Sequence, residues 1–300
     1  MENNLDVIII GGSYAGLSAA MALGRSLKNV LVIDSGKPCN RQTPHAHNFI
    51  TEDGSSPQAI SNKAKAQVAK YSTVQFLDAV AVGGGKTGNG FFIETNDGKK
   101  HSARKLLFAT GVTDLMPPIK GFAECWGISI LHCPYCHGYE VKDQTIGLIG
   151  NGDLGFELCR LIFNWTKNLT LYTNGAAALT AAQAHQIMSH GIAVVEKEIA
   201  AFDHVNGNLQ HIVFSDGSQN KTAAVFARPA FRQHCGIPEQ LGCALNEHGY
   251  IQVDDFHKTN VQGVFAAGDA TNGFRTLSIA IAAGTKAGAV INKELIEESF

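Results

Sequence analysis

Val7-Ile8-Ile9-Ile10-Gly11-Gly12-Ser13-Tyr14-Ala15-Gly16 reads as a buried strand running into a glycine turn, and the pattern returns as Ile146-Gly147-Leu148-Ile149-Gly150-Asn151-Gly152-Asp153-Leu154-Gly155. The two stretches align without gaps at a constant offset of 139 residues, which also pairs Gly36 with Gly175. Each copy starts with an apolar strand (7–10; 145–149), continues through a helix-like stretch and reaches a second apolar strand (29–34; 168–173). A βαβ unit of about 30 residues opens a doubly wound sheet. The expected fold class is therefore α/β, with two Rossmann-like, three-layer domains.

Both copies continue into strand-like segments broken by tight-turn dipeptides, Asn89-Gly90 and Asp97-Gly98 in the first, Asn206-Gly207 and Asp216-Gly217 in the second. Such dipeptides favour hairpins, so each domain is expected to carry a β-meander. A further apolar strand, Gly263-Val264-Phe265-Ala266-Ala267-Gly268-Asp269, and an Ala-rich helix over about 276–296 close the chain. The second domain is thus inserted in the first, with expected bounds of 1–115, 116–243 and 244–300.

Composition narrows the function classes. A chain of 300 residues that is 45% hydrophobic and 17% charged suits a well-buried pair of domains and argues against disorder. The formal net charge of −2, without a long basic run, gives no reason to expect nucleic acid or an anionic membrane as partner. The N-terminal residues lead straight into the first strand, with no signal-peptide pattern and no long apolar run. The expected compartment is the cytoplasm, where a cysteine pair is more often catalytic or metal-binding than a stable staple. Seven cysteines, an odd number, also speak against a secreted disulfide framework.

In the first fingerprint Gly11, Ser13, Ala15 and Gly16 let the backbone approach a pyrophosphate at the start of a helix. Asp34, 18 residues beyond Gly16, stands where an acid reads ribose hydroxyls. Ser13 replaces the usual middle glycine, and its small side chain keeps the approach open. The second fingerprint keeps Gly150, Gly152 and Gly155 but has Thr173-Asn174 where the ribose reader belongs. No Arg or Lys occurs between Asn168 and Lys197 to pair with a 2′-phosphate. That loop either binds NAD(P)H loosely or is a packing relic of the duplication. Gly268-Asp269, at the end of a buried strand, either fixes a cofactor sugar or caps a turn.

Between the two fingerprints stands His132-Cys133-Pro134-Tyr135-Cys136-His137. A structural zinc site needs a second pair of ligands, which the chain lacks, so no metal is expected. The c-type haem pattern requires export, and a glutaredoxin-like site would lie after the first strand of a small domain. A disulfide closing so short a loop stabilises little. A redox-cycling dithiol remains, with Cys133 and Cys136 as the pair. Thiol–disulfide exchange needs a thiolate and an acid–base group near neutral pH, a role open to His137 and, less directly, His132. Cys39, Cys125, Cys159, Cys235 and Cys243 have no partner at redox spacing and read as core or incidental thiols.

These motifs together resemble the thioredoxin-reductase-like group of FAD-dependent disulfide oxidoreductases, nearly end to end. The resemblance rests on 11–16 with Asp34, Ala109-Thr110-Gly111, 133–140, 150–157 and 263–269. It implies FAD held by the discontinuous domain, an inserted domain carrying the cysteines, and a homodimer. By motif position it implies that Cys136 faces the flavin, that Cys133 exchanges with substrate, and that His137 takes the place of an acidic proton donor. Asn48, Thr110, Gly111 and Thr276 match segments that contact the flavin. Two departures matter: the arginine pair of the NADPH reductases is absent near Thr173, and Cys-Pro-Tyr-Cys-His-Gly is closer to the dithiol oxidase branch. Three functions stay open at this level. One is a reductase acting on a thioredoxin-like protein or a small disulfide. The second is an oxygen-dependent oxidase of a small-molecule dithiol, and the third a redox-sensing flavoprotein without turnover.

Overall fold

The structure, a computed structural model, describes residues 5–300. The first half of unit 1 runs β1 (Leu5–Ile10), α1 (Tyr14–Arg25), β2 (Val30–Asp34), α2 (Pro57–Val68) and β3 (Val74–Asp78). A meander follows, β4 (Ala81–Thr87), β5 (Gly90–Thr95) and β6 (Lys100–Phe108), then the connecting strand β7 (Val112–Asp114). The inserted unit opens with α3 (Phe122–Cys125), β8 (Ile130–Leu131) and α4 (Pro134–His137). Next come β9 (Ile146–Ile149), α5 (Gly152–Ile162), β10 (Leu169–Tyr172), α6 (Ala181–Ser189) and β11 (Ala193–Val195). Its meander is β12 (Ile199–Val205), β13 (Asn208–Phe214) and β14 (Gln219–Lys221), and β15 (Ala224–Ala227) ends it. The chain returns through β16 (Phe231–Gln233), α7 (Ile237–Gln240), β17 (Val264–Ala266) and α8 (Leu277–Glu297).

Unit 1 is built on a sheet in the order β3-β2-β1-β6-β5-β4, with β17 also paired to β6. β6 is long enough to fork. Its first half pairs antiparallel with β5, while Leu106–Phe108 pairs in parallel with β17. The parallel part, β3-β2-β1-β6-β17, has the doubly wound order, and Ile8, Ile10, Leu31 and Ile33 share one core with Phe91 and Ile93 of β5 and with Ile237. α8 presents Ala280, Ala283, Ala287, Ile291 and Leu295 as a buried face. It crosses α1 closely because a Cβ on Gly284 would overlap the Ala15 carbonyl.

The inserted unit repeats this plan with a five-stranded parallel sheet, β11-β10-β9-β15-β8, beside a separate antiparallel meander, β12-β13-β14. By position in the sheet β9, β10 and β11 correspond to β1, β2 and β3, and β15 corresponds to β6, the offset of 139 holding for the first two. The position of β17 is filled by β8, which precedes β9 in the chain.

The units divide as 1–41, 48–113 and 231–300 against 42–47 and 114–230. The first crossing falls at Thr113/Asp114. The second lies at Ala230/Phe231 rather than 243/244. The reason is packing: Ile237 and Cys243 are buried in the core of unit 1, with Cys235 and Leu241 against them. Segment 42–47 joins the inserted unit while its neighbours in sequence stay with unit 1, a crossing that no composition shift announces. No helix among the described residues is long and apolar enough to cross a membrane.

Candidate active site

Three neighbouring parallel strands of unit 1 end in register at Ile10, Phe108 and Ala266. The turns that follow them bring 11–16, 109–111 and Gly268-Asp269 to one edge, the carboxyl edge where doubly wound sheets bind ligands. Gly11 has φ +102°, and a Cβ there would overlap the Ala109 carbonyl oxygen; a Cβ on Gly16 would overlap the Gly11 carbonyl oxygen. These glycines let the first turn of α1 close onto the strand end. Ser13 stands at the N-cap of α1 in extended conformation, yet its side chain makes no cap bond and the first helical turn holds no acid. The leading N–H groups therefore have no acceptor on the Ser13 side chain and no acid within their own turn.

Asp34 closes β2 with its side chain against Gly12. Thr110 Oγ1 is buried with no hydrogen-bond partner. Asp269 lies in the first turn of a short 3₁₀ segment, Gly268–Ala270, with Arg275 Nε 3.9 Å from its carboxylate. Asn48 holds φ +58°, its N–H donating to Asp53 Oδ1 at 2.7 Å and its carbonyl accepting from Ser278 Oγ at 3.4 Å. Thr276 caps α8 by accepting from the Ile279 N–H. Asn48 and Thr276 are thus brought to the same helix start. An open helix N-terminus, a carboxylate at the end of β2 and an orphaned buried hydroxyl suit the pyrophosphate, ribose and polar ring edge of a dinucleotide, so these residues fit FAD.

The second fingerprint is arranged differently. Asn151 is the N-cap of α5, and its Oδ1 accepts from the N–H groups of Gly152 at 2.9 Å and Ala178 at 2.7 Å. Its Nδ2 donates to the Ala176 carbonyl at 2.9 Å. The turn 176–178 is thereby pinned beside the loop, with the Ala178 carbonyl oxygen 3.5 Å from where a Cβ on Gly152 would sit. Asp153 adds a carboxylate to the first helical turn and accepts from Gln183 Nε2 at 2.7 Å. Thr173 spends its hydroxyl on the Gly175 carbonyl at 2.6 Å, and Asn174 spends its Oδ1 on the Ile199 N–H at 2.7 Å. Gly155 packs against Gly150 as close helix–strand contact requires. Unlike the first loop, this one has a side-chain acceptor on its Gly152 N–H and an acid in the first helical turn.

The cysteine pair follows β8, at the carboxyl edge of the inserted sheet. Cys133 and Cys136 form a disulfide with Cα atoms 5.3 Å apart. Cys133 is the N-cap of α4, Pro134 pre-sets the first turn, and the Cys133 carbonyl accepts from the N–H groups of Cys136 and His137 at 3.2 Å each. A Cβ on Gly138 would stand 2.8 Å from Trp165 Nε1, so the glycine lets the indole close over the end of this turn. Trp165 in turn meets Tyr135 edge to face at 5.6 Å. Burial holds the His137 imidazole below its ordinary range, Glu140 works against that, and His47 adds to it. His132 lies edge-on to Trp126, with centroids 6.4 Å apart.

The other cysteines are free thiols. Cys125, Cys159 and Cys243 are core residues, and burial pushes Cys159 up to about 12. Cys39 is exposed, near Asp269 at 4.0 Å, and not a core residue. Glu140, His47 and Asn151 carry much of the local chemistry and went unremarked in the sequence. Asn151 had a signal, an amide side chain directly before a helix start.

Residues 5–284 match the family described as pyridine nucleotide-disulphide oxidoreductase. The chain belongs to this family. Thioredoxin reductase tcpT of Claviceps purpurea is 31% identical, over 99% of this chain and 96% of that protein. Thioredoxin reductase sirT of Leptosphaeria maculans is 30% identical, over 96% and 93%. The crystal structure of an oxidoreductase from Agrobacterium tumefaciens superposes with a TM-score of 0.92 at 34% identity, covering 98% of this chain and 99% of that one. This member of the disulphide oxidoreductase family is therefore an oxidoreductase with the thioredoxin-reductase-like flavoprotein fold.

Proposed function

We propose that this protein is an FAD-dependent dithiol oxidase, which oxidises a small-molecule dithiol through Cys133–Cys136 without using NAD(P)H. The observation that carries this reading is the Asn151 clamp, whose side chain takes the Gly152 N–H and pins Ala176 and Ala178 beside the second fingerprint. The Thr173 and Asn174 side chains, both committed to backbone, support it further.

In this reading a substrate thiol gives its proton to His137 and attacks Cys133. The Cys133–Cys136 bond breaks and its electron pair leaves on Cys136. The second substrate thiol attacks the substrate sulfur of the mixed disulfide, releasing the oxidised product and Cys133 as thiolate. Residues 11–16, Asp34, Thr110 and Asp269 would hold FAD, which would supply a two-electron acceptor for the reduced pair, with dioxygen as the oxidant the reading requires. The five free thiols elsewhere in the chain support a reducing, cytoplasmic setting. A homodimer goes with the reading on family grounds.

The printed names of tcpT and sirT, and the retention of Gly150, Gly152 and Gly155, favour a second reading, an NAD(P)H-driven disulfide reductase. Anaerobic mixing of the yellow holoprotein with NADPH, NADH or dithiothreitol separates the two. The oxidase reading expects flavin bleaching by the dithiol alone, with peroxide formed on admitting air. Rapid bleaching by NADPH or NADH overturns it. Cys136→Ser is expected to retain flavin and lose bleaching by dithiol.

A further inference from the structure

Segment 42–47 belongs to the inserted unit although the residues on either side of it belong to unit 1. Gln42 Nε2 anchors it by donating to the Ala123 carbonyl at 3.1 Å, and Thr43 fits the space beside Gly127. Its last residue, His47, reaches the turn that follows the cysteine pair. There His47 Nε2 stands 3.6 Å from Glu140 Oε1. The same imidazole meets His137 edge to face, with ring centroids 6.4 Å apart. Two imidazoles and a carboxylate, drawn from two distant stretches of sequence, thus converge next to Cys136.

The chemistry at this pair needs a proton to leave an attacking thiol and return to a departing thiolate near neutral pH. A lone half-buried histidine does this poorly, because burial disfavours its charged form. We propose that Glu140 and His47 are positioning residues for His137, the carboxylate holding the imidazolium that receives the substrate's proton and His47 setting how readily that proton is passed on. The proposal rests on the reading that the pair turns over as a dithiol and disulfide. When a substrate thiol attacks Cys133, its proton goes to His137, the new S–S bond replaces Cys133–Cys136, and the electron pair goes to Cys136. The imidazolium then returns the proton to the Cys136 thiolate, so charge and atoms balance.

The two neighbours act on His137 with opposite signs. Glu140 favours its protonated form and His47 opposes it. His45 lies 6.4 Å from His47, while His132 packs against Trp126. Lys142 is engaged with the Tyr139 ring at 3.9 Å.

The test is the His137 titration in the holoprotein, followed by NMR of labelled histidine, together with the pH profile of alkylation of the reduced cysteines by iodoacetamide. Glu140→Gln is expected to move the His137 inflection to lower pH by about half a unit or more, and His47→Asn to move it to higher pH. Each is expected to slow dithiol-driven bleaching roughly tenfold, with Glu140→Asp recovering part of the loss. An inflection unmoved by both variants, or moved the same way by both, overturns the proposal. The imidazole titration needs no turnover, so a failure of the dithiol–disulfide reading shows separately, as cysteines that dithiothreitol does not reduce.

Discussion

Removing the Asn151 side chain is the sharpest perturbation of the second fingerprint. It makes three hydrogen bonds, at 2.9, 2.7 and 2.9 Å, that hold the turn 176–178 against the start of α5. At about 1 kcal/mol each for partly exposed partners, opening the clamp costs about 2–3 kcal/mol. A nucleotide that needs the open form binds more weakly by the inverse of its population, roughly 30- to 150-fold. Asn151→Ala should therefore strengthen NADH and NADPH binding by about that factor. Binding should stay weak in absolute terms, because Asp153 remains in the first helical turn and no cation lies near Thr173. Calorimetric titration of wild type and variant measures the ratio, and hydrogen exchange at the Ala178 amide should accelerate by a similar factor. Micromolar NADPH binding by the wild type, weakened by Asn151→Ala, would make Asn151 a ligand and refute the reasoning.

Gly16→Ala places a methyl group on the Gly11 carbonyl, at a cost of about 2 kcal/mol or more from overpacking, and the purified protein should carry less flavin by its 450 nm absorbance. A fully loaded variant with unchanged melting temperature would show that the turn relaxes freely. Gly138→Ala pushes on the Pro134 carbonyl and on Trp165, and should slow dithiol-driven bleaching without changing flavin content. Lys105, almost fully buried, pairs with Glu294 at 3.0 Å and with Glu298. Burial pushes both glutamates up, and the cations around them more than reverse it, leaving both below the ordinary value of 4.5. Carboxylates depressed in the folded state contribute stability above the unfolded value, and lose it as pH falls through the folded one. Lys105→Met should cost about 1–2 kcal/mol near pH 7 in denaturant melts, the partners being partly exposed. The gap from wild type should narrow below about pH 4.5; a gap that widens there contradicts the assignment.

The architecture was legible because its signals are local and occur twice. Strand, glycine turn and second strand recur at one offset, and Gly11, Gly36 and Gly175 hold positive φ. The pairing of Cys133 with Cys136 was legible from their spacing. What escaped depends on contacts far apart in sequence. β8 is only two residues long, and nothing in Ile130-Leu131 says that it completes a parallel sheet. The return to unit 1 at Phe231 follows from which core receives Ile237 and Cys243, both equally apolar for either domain. His47 meets Glu140 across 93 positions of chain, through a segment whose composition resembles the loop around it.

The two fingerprints diverge at one aligned position more than at the glycines themselves. Gly12 in the first copy corresponds to Asn151 in the second. Without a side chain, Gly12 leaves the start of α1 without an acceptor and makes room for the Asp34 carboxylate, whose atoms lie within 3.0 Å of where its Cβ would be. With an amide there, the start of α5 is capped from within and the loop after β10 is pulled across it. The ribose-reading position diverges in step: Asp34 ends β2 as an acid, while its counterpart Thr173 bonds its own loop. A helix start satisfied by its own chain has lost the electrostatic reason to take up a pyrophosphate. On the oxidase reading, Gly150 and Gly155 serve the close packing of helix against strand.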